Sequence, residues 1–206
     1  MRICVIIGTR AELIKTVPFL SELEKSDIDY TFLSTGQHDL ESLCEDFGIS
    51  KPDKVLSKAP EKSSRFNTST NKALLWNVGL IWKLIKELRK MRFDYVIYHG
   101  DTMSSALAAF STSRFFFPFK RFKSVHIESG LRSGSLLEPF PEEISRRVAD
   151  FFSDILFAVS EKSESNLSLY KWMGKRIYNI GNTIIDSANL AMNLAKNIQE
   201  SDFGVV

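Results

Sequence analysis

Side chains that could do chemistry are concentrated in five short polar segments of the sequence. In chain order the segments are Gly8-Thr9-Arg10-Ala11-Glu12 with Lys15 a turn later, Thr35-Gly36-Gln37-His38, His99-Gly100-Asp101-Thr102, Glu128-Ser129-Gly130-Leu131-Arg132 and Gly181-Asn182-Thr183. Together with His126 they supply acids and imidazoles, but no tight His/Cys spacing supports a metal site, and hydrogen-bonding roles are favoured. The first segment is neither a G-x-G-x-x-G fingerprint nor a Walker A loop, which argues against a dinucleotide or ATP site.

Each polar segment follows a short apolar run of the kind that forms a strand. The predicted strands are Ile3–Ile7, Tyr30–Leu33, Tyr95–Tyr98, Ser124–Ile127, Ile155–Val159 and Ile177–Ile180. Helical patterns separate them, at residues 13–23, 40–47, 69–91, 104–113, 141–152, 163–172 and 184–198, whereas residues 50–67 resemble an extended loop or a short irregular strand. This alternation predicts an α/β fold, a Rossmann-like parallel sheet with helices on both faces.

The carboxyl ends of parallel strands meet at one edge of a sheet, which is where ligands bind in open sheets. All five polar segments are therefore expected at the same rim. Each segment alone has a simpler interpretation, since Gly8 and Gly100 suit tight turns and Asp101 or Thr102 suits a helix cap. Their coincidence at several strand ends favours a functional site.

The predicted helix from Pro141 to Phe152 presents an acid and a base on one side. Its apolar stripe, formed by Ile144, Val148, Phe151 and Phe152, is expected to be buried. Glu142 and Arg146, four residues apart, then point away from that stripe. They form either a solvated ion pair or a carboxylate fixed by its own arginine at the wall of a cleft, and spacing does not distinguish the two.

The predicted long helix at residues 69–91 carries two apolar stripes. One consists of Leu74, Leu75, Val78, Ile81, Trp82, Ile85 and Leu88, and the other, roughly opposite, of Trp76, Leu80 and Leu84. A helix with two apolar faces needs a second surface to cover it. Deeper burial within the domain is one explanation, but a helix that flanks a sheet normally has one buried face. We therefore predict a homodimer interface on this helix.

The composition limits the remaining function classes. A net charge of +2 is too small to indicate binding to nucleic acid or to a membrane surface. Cys4 and Cys44 have no metal-ligand spacing and are expected to be reduced core thiols. The first apolar run is too short for a membrane span and lacks a signal cleavage pattern, so a cytoplasmic location is predicted. The Phe-rich stretch 114–123 is expected to be a surface loop, with an apolar contact for a partner as the alternative.

These segments resemble, in order and combination, the non-hydrolysing UDP-N-acetylglucosamine 2-epimerase family. The resemblance is carried by residues 8–12 with Lys15, 99–102, 126–132, Pro141-Glu142-Glu143 with Arg146, and Gly181-Asn182-Thr183-Ile184-Ile185-Asp186, and it spans essentially the whole chain. It departs from the family pattern at Ala11, where Pro is usual, and at Ser129, where Ala is usual. Both changes are small.

The resemblance implies a glycosyltransferase-B-like architecture of two Rossmann-like domains with the active site between them. It implies interconversion of UDP-GlcNAc and UDP-ManNAc, without a redox cofactor or required metal, in polysaccharide biosynthesis. The family route eliminates UDP across C1–C2 and adds it back on the other face. Asp101, Glu128 and Glu142 match the family's catalytic positions, and which is base and which is acid stays open.

The resemblance also suggests residues that hold the substrate. They are Arg10, Lys15, Gln37, His38, Arg132, Arg146 and Asn182. Gln37 matches one position of a regulatory UDP-GlcNAc site that some members carry, but Leu40 stands where another polar contact is often found. Arg10 and Lys15 are expected to hold the diphosphate or a carboxylate, and Arg146 to orient Glu142 or the ligand.

Family members continue into a second domain that supplies much of the uridine diphosphate site. We therefore expect residues 1–195 to form the N-terminal domain and residues 196–206 to begin a linker to a C-terminal domain. The leading hypothesis is an epimerase, or the N-terminal part of one. The alternatives are a nucleotide-sugar-binding or regulatory half that pairs with a separate C-terminal half, and a glycosyltransferase of the same architecture.

Overall fold

The structure is a computed structural model that describes residues 1–58, 69–135 and 138–202, with the side chains of residues 69–71 and 196–202 left out. Its strands are β1 (Ile3–Ile7), β2 (Tyr30–Ser34), β3 (Lys54–Val55), β4 (Tyr95–His99), β5 (Lys123–Ser129), β6 (Ile155–Ala158) and β7 (Arg176–Asn179). Its helices are α1 (Arg10–Lys25), α2 (Glu41–Phe47), α3 (Ser69–Lys90), α4 (Met103–Ser111), α5 (Glu142–Phe152), α6 (Glu161–Asn166), α7 (Ser168–Trp172) and α8 (Thr183–Asp202).

The strands form one parallel sheet in the order β3-β2-β1-β4-β5-β6-β7. The predicted α/β class and parallel pairing are confirmed. Each predicted strand is present within two residues of its predicted bounds, because an apolar run bounded by polar turn residues is a strong local signal. The first strand lies in the middle of the sheet, so its carboxyl end is flanked by the carboxyl ends of β2 and β4.

Helices cover both faces of the sheet because the strands are apolar on both. Ile3, Val5 and Ile7 of β1 face a core that includes Leu13 and Leu20 of α1. The alternate residues of β1, Cys4 and Ile6, face a second core that contains Leu80 and Leu84 of α3, Ala108 and Ala109 of α4 and Ala149 of α5. This is the pattern expected of a parallel sheet buried on both sides.

Helix α3 has one face in the core and one on the surface. Leu80, Leu84, Ile85 and Leu88 are buried against the sheet. Along the outer side, Leu75 is 72% exposed and Trp82 61% exposed, and Leu74 and Val78 are also exposed. The prediction that this helix has more apolar surface than the domain covers is thus confirmed, although Ile85 and Leu88 lie on the buried face rather than with the outer stripe.

The predictions for residues 163–172, residues 50–67 and the two cysteines can also be compared with the structure. The single helix expected at 163–172 is two helices, α6 and α7, which meet at the buried Leu167. Lys54–Val55 supplies the short strand expected within residues 50–67, and residues 59–68 of that stretch lie outside the described residues. Cys4 and Cys44 are free and buried, as expected. No helix in the described part of the chain is long and apolar enough to cross a membrane.

Candidate active site

Glu128 lies at the carboxyl end of β5, in a backbone conformation that aims its side chain into the rim. Its φ is +67°, and the pairing of β5 with β6 shifts register between Ile127 and Ser129, as in a β-bulge. The side chain is 6% exposed, and Lys15 of α1 lies 2.7 Å from each carboxylate oxygen. A positive φ is uncommon for a residue with a side chain, and strained backbone of this kind clusters at functional sites.

Asp101 lies beside this pair, in the turn between β4 and α4. Gly100 donates its backbone N–H to the carbonyl oxygen of Ile127 over 3.0 Å, which joins that turn to the end of β5. The φ of Gly100 is +78°, and a side chain there would approach within 3.5 Å of a Glu128 carboxylate oxygen. The Asp101 carboxylate forms an ion pair with Arg146 of α5. Asp101 and Glu128 therefore occupy adjacent positions on the rim, each held by its own cation.

The predicted pairing of Glu142 with Arg146 is wrong. Arg146 forms its ion pairs with Asp101 and, over 3.4 Å, with Glu143. Glu143 is fully buried, and it also pairs with Arg147 over 2.9 Å and accepts a hydrogen bond from the Ser133 backbone. Oε2 of Glu142 is buried and has no hydrogen-bond partner among the described residues. Unlike Asp101, Glu128 and Glu143, Glu142 forms no ion pair with a described residue.

The error arose from the face of α5 that was expected to be buried. The buried residues of this helix are Glu143, Ser145, Ala149 and Asp150, whereas Ile144 and Phe151 of the predicted stripe are exposed. Helix α5 packs closely against the Ala- and Ser-rich α4, which leaves room only for small side chains or for acids with specific partners. The rotation turns Arg146 toward Asp101 on the rim.

A buried network of charged and hydrogen-bonded side chains contacts the turn between β4 and α4, which contains Asp101. His126 is fully buried, with Nε2 2.7 Å from the carbonyl oxygen of Gly100 and Nδ1 2.7 Å from Asp150, which pairs with Arg132 over 2.7 Å. Each ring nitrogen thus lies within hydrogen-bonding distance of an oxygen, so the ring is held from two sides. Burial alone would raise the pKa of Asp150, but the hydrogen bond from His126 and the nearby cations outweigh it and lower that pKa.

Glu12 supports the same turn from the other side. Its carboxylate accepts the N–H groups of Gly8 and Thr9, and it also accepts hydrogen bonds from the hydroxyls of Thr102 and Ser105. Thr9 caps α1 and forms a capping box with Glu12, so one acid joins the β1–α1 turn to the β4–α4 turn. Burial raises the pKa of Glu12, and these hydrogen bonds offset part of that rise.

His99 is a neutral imidazole inside the cluster. Burial, together with the nearby charges of Lys15 and His126, lowers its pKa to about 3. Nε2 lies 3.3 Å from the hydroxyl of Thr183, and Nδ1 has no hydrogen-bond partner in the described chain, with Oε2 of Glu128 3.7 Å away. His99 therefore acts as a neutral polar neighbour of Glu128 rather than as a cation.

The structure also locates the predicted substrate-holding residues at the ends of β1 and β2. Arg10 is exposed and donates to the carbonyl oxygen of Asp39, and its backbone N–H reaches the ring of the exposed His38. Gln37 accepts a hydrogen bond from Ser104 over 2.6 Å. These residues line the rim next to Lys15. Gly8 allows this close approach, because a side chain there would overlap Ser104 and lie 2.8 Å from Thr35.

The last two predicted residues have structural partners. Asn182 accepts the backbone N–H of Ile184 and so caps α8, and Arg132 is occupied by Asp150 and by the carbonyl of Leu131. No group of three or more His, Cys, Asp or Glu side chains in residues 1–58, 69–135 and 138–202 has the geometry to hold a metal ion. The ion pairs Lys15–Glu128 and Arg146–Asp101 make the rim a set of carboxylates among fixed cations, which suits proton transfer beside an anion.

Sequence reasoning missed three supporting acids. The Thr-x-x-Glu pattern at Thr9 and Glu12 is a capping-box signal that could have identified Glu12. The spacing of Glu143 from Arg146 and Arg147 is also a local signal, since it gives i,i+3 and i,i+4 pairs. Asp150 carries no such signal, because its partner His126 lies on another element.

Comparisons with known proteins match this chain to one family over most of its length. A family model described as UDP-N-acetylglucosamine 2-epimerase matches residues 21–204. The UDP-N-acetylglucosamine 2-epimerase of Bacillus subtilis is 31% identical over 195 residues, which cover 92% of this chain and 47% of that protein. The crystal structure of the Neisseria meningitidis UDP-GlcNAc 2-epimerase bound to UDP-GlcNAc superposes with a TM-score of 0.79 at 28% identity, over 100% of this chain and 54% of that one.

A more distant structure bears on the architecture alone. MurG from Acinetobacter baumannii superposes with a TM-score of 0.52 at 9% identity, over 79% of this chain and 42% of that chain. Together with the epimerase structures, it confirms the predicted fold class, the N-terminal half of a glycosyltransferase-B-like architecture. The chain spans about half the length of the curated relatives it matches.

Proposed function

This chain belongs to the UDP-N-acetylglucosamine 2-epimerase family, and on that premise we propose that it supplies the carboxylate-bearing wall of an epimerase active site. The proposed reaction interconverts UDP-GlcNAc and UDP-ManNAc. A C-terminal half, in the same protein or as a separate chain, completes the proposed site and holds the uridine diphosphate. The division at residues 195 and 196 stays a prediction, and α8 continues across that position to Asp202.

The observation that carries the proposal is the pairing of acids with cations on one rim. Glu128 is buried under Lys15, Asp101 is held by Arg146, and Glu142 keeps a buried carboxylate oxygen that has no hydrogen-bond partner in the part of the chain that the structure describes. The C2 proton of a nucleotide sugar is not adjacent to a carbonyl, so its removal must be coupled to the loss of a leaving group. A site for that reaction needs two proton-transfer groups and a cation for the departing diphosphate.

The proposed reaction proceeds by elimination and re-addition. One carboxylate takes the C2 proton, the C1–O bond to UDP breaks, and a 2-acetamidoglucal and UDP result. A second carboxylic acid then returns a proton to C2 from the other face, while the UDP oxygen re-forms the bond at C1. Asp101, Glu128 and Glu142 are the proposed acid–base groups, and Arg10, Lys15 and Arg146 are the proposed cations for the diphosphate.

The direct test is to incubate the chain with UDP-GlcNAc and measure UDP-ManNAc, both alone and with a family C-terminal half. We expect product in the combined sample. The chain by itself should give none, because the uridine diphosphate site belongs to the second half. If a folded combination that binds UDP gives no product, the chain is instead a nucleotide-sugar-binding half. The support for this alternative is that the chain covers only about half of each relative.

A single substitution tests the catalytic assignment. In the combined protein, Glu128→Gln should reduce turnover by at least about a thousandfold while UDP affinity changes little, because the amide cannot take up a proton. Glu41→Gln, at the exposed start of α2, is the matched control and should leave turnover unchanged. Near-normal turnover by Glu128→Gln would remove Glu128 from the catalytic set.

We propose a homodimer through the outer face of α3. The support is the row of exposed apolar side chains Leu74, Leu75, Val78 and Trp82, since large exposed apolar patches mark interaction surfaces. Trp82→Lys should convert a dimer to a monomer in light scattering, whereas Lys86→Gln on the same helix should not. A wild-type monomer at all concentrations would contradict the proposal.

Three finer statements stay predictions. The regulatory UDP-GlcNAc contact at Gln37 is one, and Gln37 is already hydrogen-bonded to Ser104. Participation in polysaccharide biosynthesis is another. A cytoplasmic location is the third, supported by the free thiols of Cys4 and Cys44.

A further inference from the structure

The edge of the sheet opposite the rim contains a cavity of about 450 Å³. It lies at the amino ends of β5, β6 and β7, between the end of α5, the loop that follows α4 and the turn before β7. Its volume is within the range of small-molecule sites, roughly 300–1,000 Å³. Nothing in the proposed epimerase reaction uses it.

The lining of this cavity is strongly basic. It includes Arg114, Lys120, Lys123, Lys175 and Arg176, with Asp154 as the acid that faces them. The five cations and one carboxylate give a local net charge of +4, whereas the whole chain carries +2. The rest of the chain is therefore slightly acidic, and the positive potential of the molecule is focused in this concave region.

Two of the five cations have structural partners. Lys120 lies 2.7 Å from Asp154 and donates to Ser124 over 2.8 Å. Lys175 donates to the backbone carbonyls of Asp150, Phe151 and Ser153, so it satisfies the carboxyl end of α5. These contacts explain why both lysines are partly buried. They do not explain why the other three cations lie at the same cavity.

Arg114, Lys123 and Arg176 are exposed, and their side chains form no hydrogen bond or ion pair with any residue that the structure describes. Burial lowers the pKa of Lys120, the ion pair with Asp154 opposes that shift, and repulsion from Arg114 and Lys123 adds to it. Burial also lowers the pKa of Lys175, to about 8, while Asp154 and Asp150 oppose the shift and Lys120 adds to it. Lys120 is thus repelled by Arg114 and Lys123 and itself repels Lys175, and a bound anion would relieve that repulsion.

The cavity also has an aromatic wall. Phe115 is 80% exposed and Phe151 50% exposed, and the Lys175 ammonium lies 5.6 Å from the ring centre of Phe151. An apolar or planar group of a ligand could rest against these rings while its charge met the cations. The concave shape and the small overall charge of the chain favour a small ligand over a nucleic acid, which needs an extended basic surface.

We propose that this cavity binds a small anion with two or three negative charges, a diphosphate or a multiply charged phosphate ester. Arg114, Lys123 and Arg176 are its primary contacts, and their number matches the charge of such a group. Arginine is well suited to this role because its guanidinium forms paired hydrogen bonds with phosphate oxygens. This site is separate from the proposed epimerase site and does not depend on it.

The test uses inorganic pyrophosphate, without metal ions, and the 206-residue chain. Calorimetry at low ionic strength should show one saturable site that weakens as salt is added. The variant R114Q/K123Q/R176Q should lose roughly 30-fold or more in affinity, on the basis of about threefold or more for each charged contact. The control K72Q/K86Q/K162Q removes the same charge from exposed positions and should bind like the wild type.

Two measurements identify the location of the bound anion. Amide chemical shifts of Ser153 and Gly174, which line the cavity, should move on titration of the wild-type chain, and this needs no variant. The second measurement is the amide shifts of the rim residues Gly100 and Glu128, which should not move. Shifts confined to the rim, or equal affinity in both triple variants, would overturn the proposal, and each result is independent of whether the chain supports epimerisation.

Discussion

The two edges of the sheet both gather charged side chains, but they neutralise them differently. At the carboxyl edge almost every cation has an acid partner, as in the pairs Lys15–Glu128 and Arg146–Asp101. At the amino edge, Arg114, Lys123 and Arg176 have no described partner. Paired charges hold a fixed geometry before any ligand arrives, which is what proton transfer requires. Unpaired cations hold no geometry of their own and are free to meet an anion.

Helix α5 reaches both edges. Its first turn carries Glu142, its middle carries Arg146, and its last turn carries Asp150 and the carbonyls that accept hydrogen bonds from Lys175 of the basic cavity. The comparison therefore concerns two ends of one rigid element as well as two sites. It makes a clear physical prediction: charge removal should be costly at the paired edge and nearly free at the unpaired one.

The largest effect on stability is expected from breaking the buried network. Asp150→Ala should reduce the free energy of unfolding by about 3–5 kcal/mol, because it leaves His126 and Arg132 without their shared acid. Urea unfolding followed by circular dichroism measures it. The exposed pair of Arg2 and Asp29 provides the control, and Asp29→Ala should cost less than about 1 kcal/mol. Equal costs would show that burial of the network contributes nothing.

A pH titration should reveal the neutral imidazole of the rim. The pKa of His99 is about 3 in the folded protein and about 6.5 when unfolded, so the unfolded state binds the extra proton between these values. Stability from His99 is thus fully present above pH 6.5 and is lost as the pH falls toward 3. Between pH 6.5 and 4.5 the loss should be about 2 kcal/mol. Over this pH range the His99→Gln variant should lose less free energy of unfolding than the wild type, by that amount. An equal loss in the two proteins would contradict burial of the neutral ring.

The close packing of the rim predicts a smaller effect. Gly8→Ala should destabilise the protein by about 1–3 kcal/mol, because the new methyl group overlaps Ser104. The control is Gly79→Ala on α3, where no atom lies within 4 Å of the new methyl group. That substitution should be neutral or stabilising, since alanine favours a helix. Thermal unfolding of the two variants gives the comparison directly.

The smallest effect is expected at the basic cavity. Each of Arg114→Gln, Lys123→Gln and Arg176→Gln should change the free energy of unfolding by less than about 0.5 kcal/mol, because none of these side chains has a described partner to lose. The same urea titration measures it. A loss of 2 kcal/mol from any one of them would mean that the two edges do not differ in the way described.

The sheet and its rim could be predicted because their signals are local. Apolar runs, the helical patterns between them and the polar segments that follow are contained in a few neighbouring residues. The partners of Glu128 and Asp150 could not be predicted in this way. Lys15 and Glu128 are 113 positions apart, and His126 and Asp150 belong to different elements. Only the folded geometry determines which cation each acid receives.

The error on α5 has a related cause. An apolar stripe normally marks the buried face of a helix, but here Ile144 and Phe151 are exposed and the buried face carries Glu143 and Asp150. Two buried acids are acceptable because each has a cation and a hydrogen-bond donor in place. A rule based on hydropathy alone cannot recognise such compensation.

The order of the strands also bears on synthesis. Among the described strands, the central β1 is made first, and β2 and β3 then add to one side of it. β4 pairs with the free side of β1, and each later strand extends the edge formed by the one before. A nascent chain can therefore add strands in the order in which the ribosome releases them, without opening a sheet that has already formed. Domains generally begin to fold from the amino end during synthesis. In this protein that direction also assembles the rim in sequence: Lys15 emerges first, Asp101 next, and Glu128 then closes onto a lysine that is already in position.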